Sequence, residues 1–246
     1  MKQQHKTHAG IAAILAMTMA LSPLALDTYL PAFPLIAQSF GVSAHQVSLS
    51  IALYILVLAL GQLCGGPLSD RFGRSKIMLI GMSIFALMSF LLANATSLPE
   101  FLALRMLQAF GGGMATVTVP ALVRDRLSGV EAAKFFSLIG LIMVLAPALA
   151  PNIGSVILNF YGWHEIFIFL GIYGLVALLL TKLLISSDSQ NTRPVETLSV
   201  WQRYKQVMSN GNAMILMCCL LPIPLLSTKA ILSCQPVYSL YCFQLM

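Results

Sequence analysis

Residues 65–76 read GGPLSDRFGRSK. Asp70, Arg71, Arg74 and Lys76 all fall within it, whereas the whole segment between Lys6 and Asp70 carries a single formal charge, Asp27. Apolar runs flank the stretch at roughly 47–68 and 77–96. Crossing a bilayer takes about 20 apolar residues, because a helix rises about 1.5 Å per residue. Both flanks reach that length, so the stretch reads as a tight, charged turn joining two membrane spans at a surface. Gly66 and Gly73 are expected to supply its backbone freedom. Asp70 is suited to cap the following turn or to pair with a nearby Arg.

The same pattern extends in both directions. Further apolar runs at roughly 9–30, 101–123, 135–158 and 163–185 bring the number of clear spans to six. The chain of 246 residues is 58% hydrophobic and only 9% charged, with a mean hydropathy of +0.86. Soluble domains carry about 25% charged residues. The fold class expected is therefore an all-α integral membrane bundle, with the lipid bilayer as its main solvent.

A net charge of +6 does not signal nucleic acid here, because the basic residues sit in short clusters between apolar runs. Lys2 and Lys6, then Arg71, Arg74 and Lys76, then Arg124, Arg126 and Lys134, then Lys182, Arg193, Arg203 and Lys205 occupy alternate connectors. The intervening connectors near 38–46, 97–100 and 159–165 carry no Lys or Arg. The positive-inside rule then makes the N-terminus cytoplasmic. Residues 1–8 are a cytoplasmic N-terminus, 9–185 the six-helix bundle and 186–210 a polar cytoplasmic linker. A seventh span begins near Gly211. The first run is long for a signal-peptide core and has no convincing small-x-small cleavage site before Asp27, so it reads as an uncleaved helix.

Two ionisable residues lie inside spans. In the first, Ala9, Ala13, Ala16, Ala20, Pro23 and Asp27 share one helical stripe, which directs Asp27 to protein or cavity rather than lipid. Pro23 and Pro31 weaken the helix around it, which is tolerated only where protein or water satisfies the freed carbonyls. In the fourth, Arg105, Gln108, Gly112, Ala115 and Val119 share a face. An Arg at a helix centre costs about 2.5–3.5 kcal/mol to insert, and intramembrane charges are usually functional. Asp27 and Arg105 fall at similar depth with opposite sign, which makes them expected partners. The plainer alternatives are an interfacial Asp and a snorkelling Arg.

In the fifth run Gly140, Val144, Pro147, Pro151 and Gly154 form a stripe of small and kinking residues. Gly61 and Gly65 have the spacing for close helix packing. Cys64 is the only cysteine before residue 218, and His5, His8, His45 and His164 are scattered. No CxxC, HExxH or Gly-x-Ser-x-Gly occurs. No enzyme activity, metal or organic cofactor is expected.

The 65–76 stretch resembles the signature Gly-x-x-x-Asp-Arg-x-Gly-Arg-Arg-Lys of the major facilitator superfamily. Gly66, Asp70, Arg71, Gly73, Arg74 and Lys76 match it, and Ser75 replaces one basic residue. Arg105-Met-Leu-Gln108-Ala resembles the superfamily's Arg-x-x-Gln-Gly, and LAPALAPNIGS (145–155) its drug-antiporter signature. DTYLPAFP (27–34), VRD (123–125) and GWHEIF (162–167) resemble the bicyclomycin and chloramphenicol resistance subfamily. The resemblance implies the N-terminal six-helix bundle of a proton-coupled drug exporter of the bacterial inner membrane, built as a 3+3 inverted repeat. It implies small-molecule drugs as substrates and the proton as coupling ion, and it leaves the oligomeric state open. Asp27 and Arg105 become the coupling pair, and Tyr29, Tyr54 and Gln108 cavity residues. The 65–76 residues with Arg124 become a gating loop, with an Asp70–Arg124 pair across helices. Pro147, Pro151 and Gly154 become the antiporter kink.

Beyond about residue 220 the pattern changes. Cys218, Cys219, Cys234 and Cys242 cluster there, Pro222 and Pro224 interrupt the seventh span, and Lys229 lies within it. That end is expected to be a partial seventh helix followed by an aberrant tail, from a truncated and frame-shifted product. A non-transporting fragment and a half-transporter acting as a homodimer are the alternatives to an exporter.

Overall fold

The computed structural model describes residues 2–126 and 129–184. The expected linker at 186–210 and the seventh helix and tail at 211–246 lie outside these. All regular structure among the described residues is helical: α1 (Lys2–Asp27), a 3-10 turn (Leu30–Ala32), α2 (Phe33–Phe40), α3 (Ala44–Phe72), α4 (Arg74–Leu92), α5 (Leu98–Arg126), α6 (Gly129–Phe160) and α7 (His164–Leu184). Among the described residues, six spans are long and apolar enough to cross a membrane, the first running from Ala12 through the turn to Phe40. Lipid supplies no hydrogen bonds, so helices that satisfy their own backbone are the expected result.

The first span is longer than its apolar run suggests. The expectation ended it near residue 30, but α2 carries it on to Phe40. Pro31 cannot donate to the carbonyl of Asp27, nor Pro34 to that of Leu30, so the helix breaks and then resumes. Ala32 N–H bonds Tyr29 O at 2.9 Å in the tighter turn. Asp27 therefore stands at a mid-span break rather than at a span's end.

The connector at 65–76 is also more helical than expected. α3 continues through Asp70 to Phe72, and the reversal is made at Gly73 alone, where φ is +98°. Gly73 N–H closes α3 on Ser69 O at 3.0 Å. Gly66 sits inside the helix, where a Cβ would meet open space. The backbone-freedom role assigned to both glycines thus belongs to Gly73. At the other end of α3, Ser43 and Gln46 form a reciprocal capping box.

Packing is set by small residues. Gly111, Gly112 and Gly113 are consecutive in α5, so they point in three directions about 100° apart. A Cβ on Gly113 would overlap the backbone of α3 at Leu58, and one on Gly111 would meet Gly81 O of α4 at 2.7 Å. Gly112 faces Ser22 of α1 and Tyr54 of α3. Gly61 and Gly65 meet the backbone of α5 at Phe110 and Met114, as their spacing suggested. α1 packs on α6 and α7 while α5 packs on α3 and α4, and α1 and α5 also touch each other. The first helix of each half of the bundle therefore packs against the other half.

α6 departs from its expected stripe. The residues it buries are Phe135, Ala146, Ala150 and Gly154, while Pro147 and Val144 are exposed and Gly140 faces open space. A Cβ on Gly154 would overlap the carbonyl of Thr28. Alanine and glycine four apart fit against the break in the first span, and that contact fixes the helix's rotation.

Candidate functional site

Arg105 is 0% exposed. Its Nη1 donates to Gln108 Oε1 at 2.7 Å and its Nη2 to the carbonyl oxygen of Ala25 at 3.0 Å. Gln108 Nε2 donates in turn to Ser89 Oγ at 2.7 Å, and Ser89 Oγ donates to Phe85 O at 2.7 Å. A planar guanidinium with two fixed partners is oriented as a lysine would not be. Gln108, three residues on along α5, can use its two amide atoms at once because it lies on the same face as Arg105.

Aromatic rings enclose the charge. The guanidinium carbon lies 4.1 Å from the ring centroid of Tyr29, 4.5 Å from that of Tyr54 and 5.7 Å from that of Phe167. Ring quadrupoles attract a cation, most strongly where water is excluded. Tyr29 is itself anchored, its hydroxyl 2.8 Å from Ser50 Oγ. Toward the end of the bundle that holds Trp163, Phe101 packs on Phe167 at 5.5 Å and on Trp163 at 6.3 Å, and Phe40 on Trp163 at 5.7 Å. Trp163 Nε1 donates to Ser39 Oγ at 3.1 Å. This aromatic layer closes that end over Arg105.

The expected Asp27–Arg105 ion pair is not formed. Among the described residues, Arg105 bonds neutral oxygens, and Asp27 is half-buried two positions along from Ala25. The break frees backbone carbonyls in this region, and the arginine reaches the carbonyl of Ala25 rather than the carboxylate. Tyr29, Tyr54 and Gln108 are all brought against Arg105. The sequence reading did not single out Ser50, Ser89, Phe101, Trp163 or Phe167. The helical register of Ser89 on a neighbouring span carried no signal of its partner, and GWHEIF, which contains Trp163 and Phe167, carried only a resemblance to a subfamily.

At the opposite end the charged connector forms a different pair from the one expected. Arg74 Nε lies 3.0 Å from Asp125 Oδ2, and its Nη2 lies 3.5 Å from Asp70 Oδ1. Arg124 instead folds back, its Nε donating to Pro120 O at 3.3 Å. One residue is about 100° around a helix, so Asp125 faces α4 where Arg124 does not. Arg71 lies over the ring of Phe72 at 5.4 Å, and Lys76 is exposed.

A bundle of this kind, with a buried arginine in one helix set against a proline-broken helix, defines a polytopic membrane protein with a polar interior site. The chain belongs to the Major Facilitator Superfamily, whose family model matches residues 15–242. It is 40% identical over 193 residues to an uncharacterized MFS-type transporter, YdgK, of Bacillus subtilis, covering 78% of this chain and 47% of that one. It is 38% identical over 185 residues to a bicyclomycin resistance protein homolog of Haemophilus influenzae, covering 75% and 46%. It is 37% identical over 158 residues to a chloramphenicol resistance protein of Pseudomonas aeruginosa, covering 64% and 38%. The chain spans about half the length, or less, of these relatives.

Proposed function

We propose that this chain acts in proton-coupled export of small-molecule drugs across a bacterial inner membrane, with its N-terminus cytoplasmic. The observation that carries the reading is the buried Arg105, bonded to Ala25 at the break that displays Asp27. Asp27 is the only acidic residue in the span Ala12–Phe40. A half-buried carboxyl at the break, on the helix segment that the arginine holds through Ala25, can exchange a proton for a cationic or polar drug, since each stabilises a different state of the site. Tyr29 and Tyr54 hold the arginine through their buried rings, and Gln108 orients it. The names of the relatives from Haemophilus influenzae and Pseudomonas aeruginosa support bicyclomycin- and chloramphenicol-type drugs as substrates.

At the cytoplasmic end, Arg74 with Asp125 and Asp70 acts as a latch between α4, α5 and α3. Gly73 makes its tight turn, Gly66, Arg71, Lys76 and Arg124 complete the charged surface, and Pro147, Pro151 and Gly154 set how α6 meets the break.

The test is drug-driven proton movement in everted vesicles carrying this chain, with growth on chloramphenicol and bicyclomycin scored in parallel. Coupled export is expected and should disappear in Asp27→Asn. Undiminished coupling in that variant overturns the role of Asp27. A chain that inserts but neither moves protons nor protects growth overturns the exporter reading.

A further inference from the structure

Ser89 of α4 meets the Arg105 cluster through Gln108. Ser89, Gln108 and Arg105 are all 0% exposed. Lipid cannot serve their polar atoms, so these bonds have to be made within the protein, each in a set direction.

Donor and acceptor chemistry fixes that direction. A guanidinium only donates, so the Gln108 atom 2.7 Å from Arg105 Nη1 has to be the amide oxygen, Oε1. The amide nitrogen then points the other way and has only protons to offer. It meets Ser89 Oγ at 2.7 Å, which must accept. A hydroxyl carries one proton, and Ser89 commits its own to Phe85 O, one turn back along α4, at 2.7 Å. The serine oxygen is left with a lone pair for α5. The reversed amide would set donor against donor at Arg105 and leave Ser89 without a donor.

The local bond alone does not call for a buried serine here. Ser83 of the same helix donates to Leu79 O at 2.8 Å from an exposed position. What Ser89 adds is the lone pair that Gln108 Nε2 uses. Alanine at this position would remove it and strand an enclosed donor, an arrangement proteins avoid.

We propose that Ser89 is a positioning residue for Arg105. By accepting from Gln108 it holds the amide with Oε1 toward the guanidinium, and so keeps Nη2 aimed at the carbonyl of Ala25 beside the break. α4 thereby joins α1 and α5 in setting where the buried cation points. The consequence for transport rests on the exporter reading above; the positioning itself does not.

The experiment is NMR of the purified 246-residue chain in detergent, with isotope-labelled arginine. The Arg105 guanidinium signals are those that Arg105→Lys removes. Their exchange with solvent should be about tenfold faster in Ser89→Ala, the effect of one weakened bond to a charged group. It should stay close to the parent's in Ser89→Thr, which keeps the hydroxyl, and backbone amides of α4 and α5 should keep their rates. Unchanged Arg105 exchange in Ser89→Ala overturns the proposal. Equal quickening of the backbone, or equal quickening in Ser89→Thr, means that the serine only packs the helices and also overturns it. If Ser89→Ala does not fold, Ser89→Cys takes its place, since a thiol is close in size but a weak acceptor. Drug-driven proton movement in vesicles, run in parallel, should fall in Ser89→Ala as in Gln108→Leu, and no further in the two combined. Additive losses overturn the route through Gln108. A parent chain that moves no protons counts against the exporter reading alone, and the exchange rates still decide the role of Ser89.

Discussion

Arg105 donates to the carbonyl oxygen of Ala25 at 3.0 Å, linking the fourth span to the first just before the first span breaks. The contact joins positions 80 residues apart in sequence. It makes the arginine a structural reader of the break: the bond is made only while Ala25 keeps its present place relative to α5.

Arg105→Lys keeps the charge but loses the two-pronged geometry. A hydrogen bond to a charged group is worth about 1.5–3 kcal/mol, and lysine is expected to lose one such bond, to Gln108 or to Ala25. Denaturant unfolding in detergent should show a loss of that size. Drug export, where measured, should fall at least tenfold. A lysine variant as stable and as active as the parent would show that the fork is dispensable.

The end latch is predicted to couple Arg74 to Asp125, with no direct coupling between Asp70 and Arg124. Both side chains of the Arg74–Asp125 pair are partly exposed, at 26% and 46%. A double-mutant cycle should therefore give about 0.2–1 kcal/mol, falling with salt. The corresponding Asp70/Arg124 cycle should be additive, because Arg124 turns back to Pro120. Coupling found only in the second cycle would reverse the assignment.

Gly73 and Gly66 separate two meanings of a motif glycine. At Gly73 the backbone has φ +98°, which side-chain-bearing residues rarely adopt, and such strain costs about 1–3 kcal/mol. Gly73→Ala should lower stability by that amount. Gly66→Ala meets open space within a helix and should be neutral or stabilising by up to about 1 kcal/mol. Circular dichroism melts of the two variants check both signs.

Much of this architecture was legible because membrane spans are written in composition. The six spans and the charged turn follow from runs and clusters along the chain alone. Arg105 and Gln108 are expected on one helical face, and they do bond each other; Tyr29 and Tyr54, expected only as cavity residues, pack on the same guanidinium. What the sequence did not carry was partner choice across helices. Asp27 and Arg105 match in depth, yet a carbonyl near a proline break competes for the same guanidinium. Asp70 and Arg124 match in end, yet a rotation of one residue gives the pair to Arg74 and Asp125. Rotation about a helix axis is set by packing, and packing depends on neighbours that a single run cannot name. The rotation of α6 shows the same limit: of the expected stripe Gly154 is buried, but beside it α6 buries Ala146 and Ala150 rather than Val144 and Pro147.

That rotation gives a last prediction, at two glycines of the same helix. Gly154 lies against the carbonyl of Thr28, next to Asp27, so any added Cβ must push α6 away from the break. Overpacking of this kind costs about 1–3 kcal/mol. Because the displaced contact adjoins Asp27, Gly154→Ala should also weaken proton-coupled export more than its loss of stability alone accounts for. Gly140 has nothing within 4 Å of its built Cβ. Gly140→Ala should gain about 0.5–1 kcal/mol from helix preference and leave export unchanged. Unfolding curves and vesicle assays on the two variants, made in parallel, decide the point. Equal behaviour of the two glycines would mean that α6 does not rest on the break, and the link from its packing to Asp27 would fall with it.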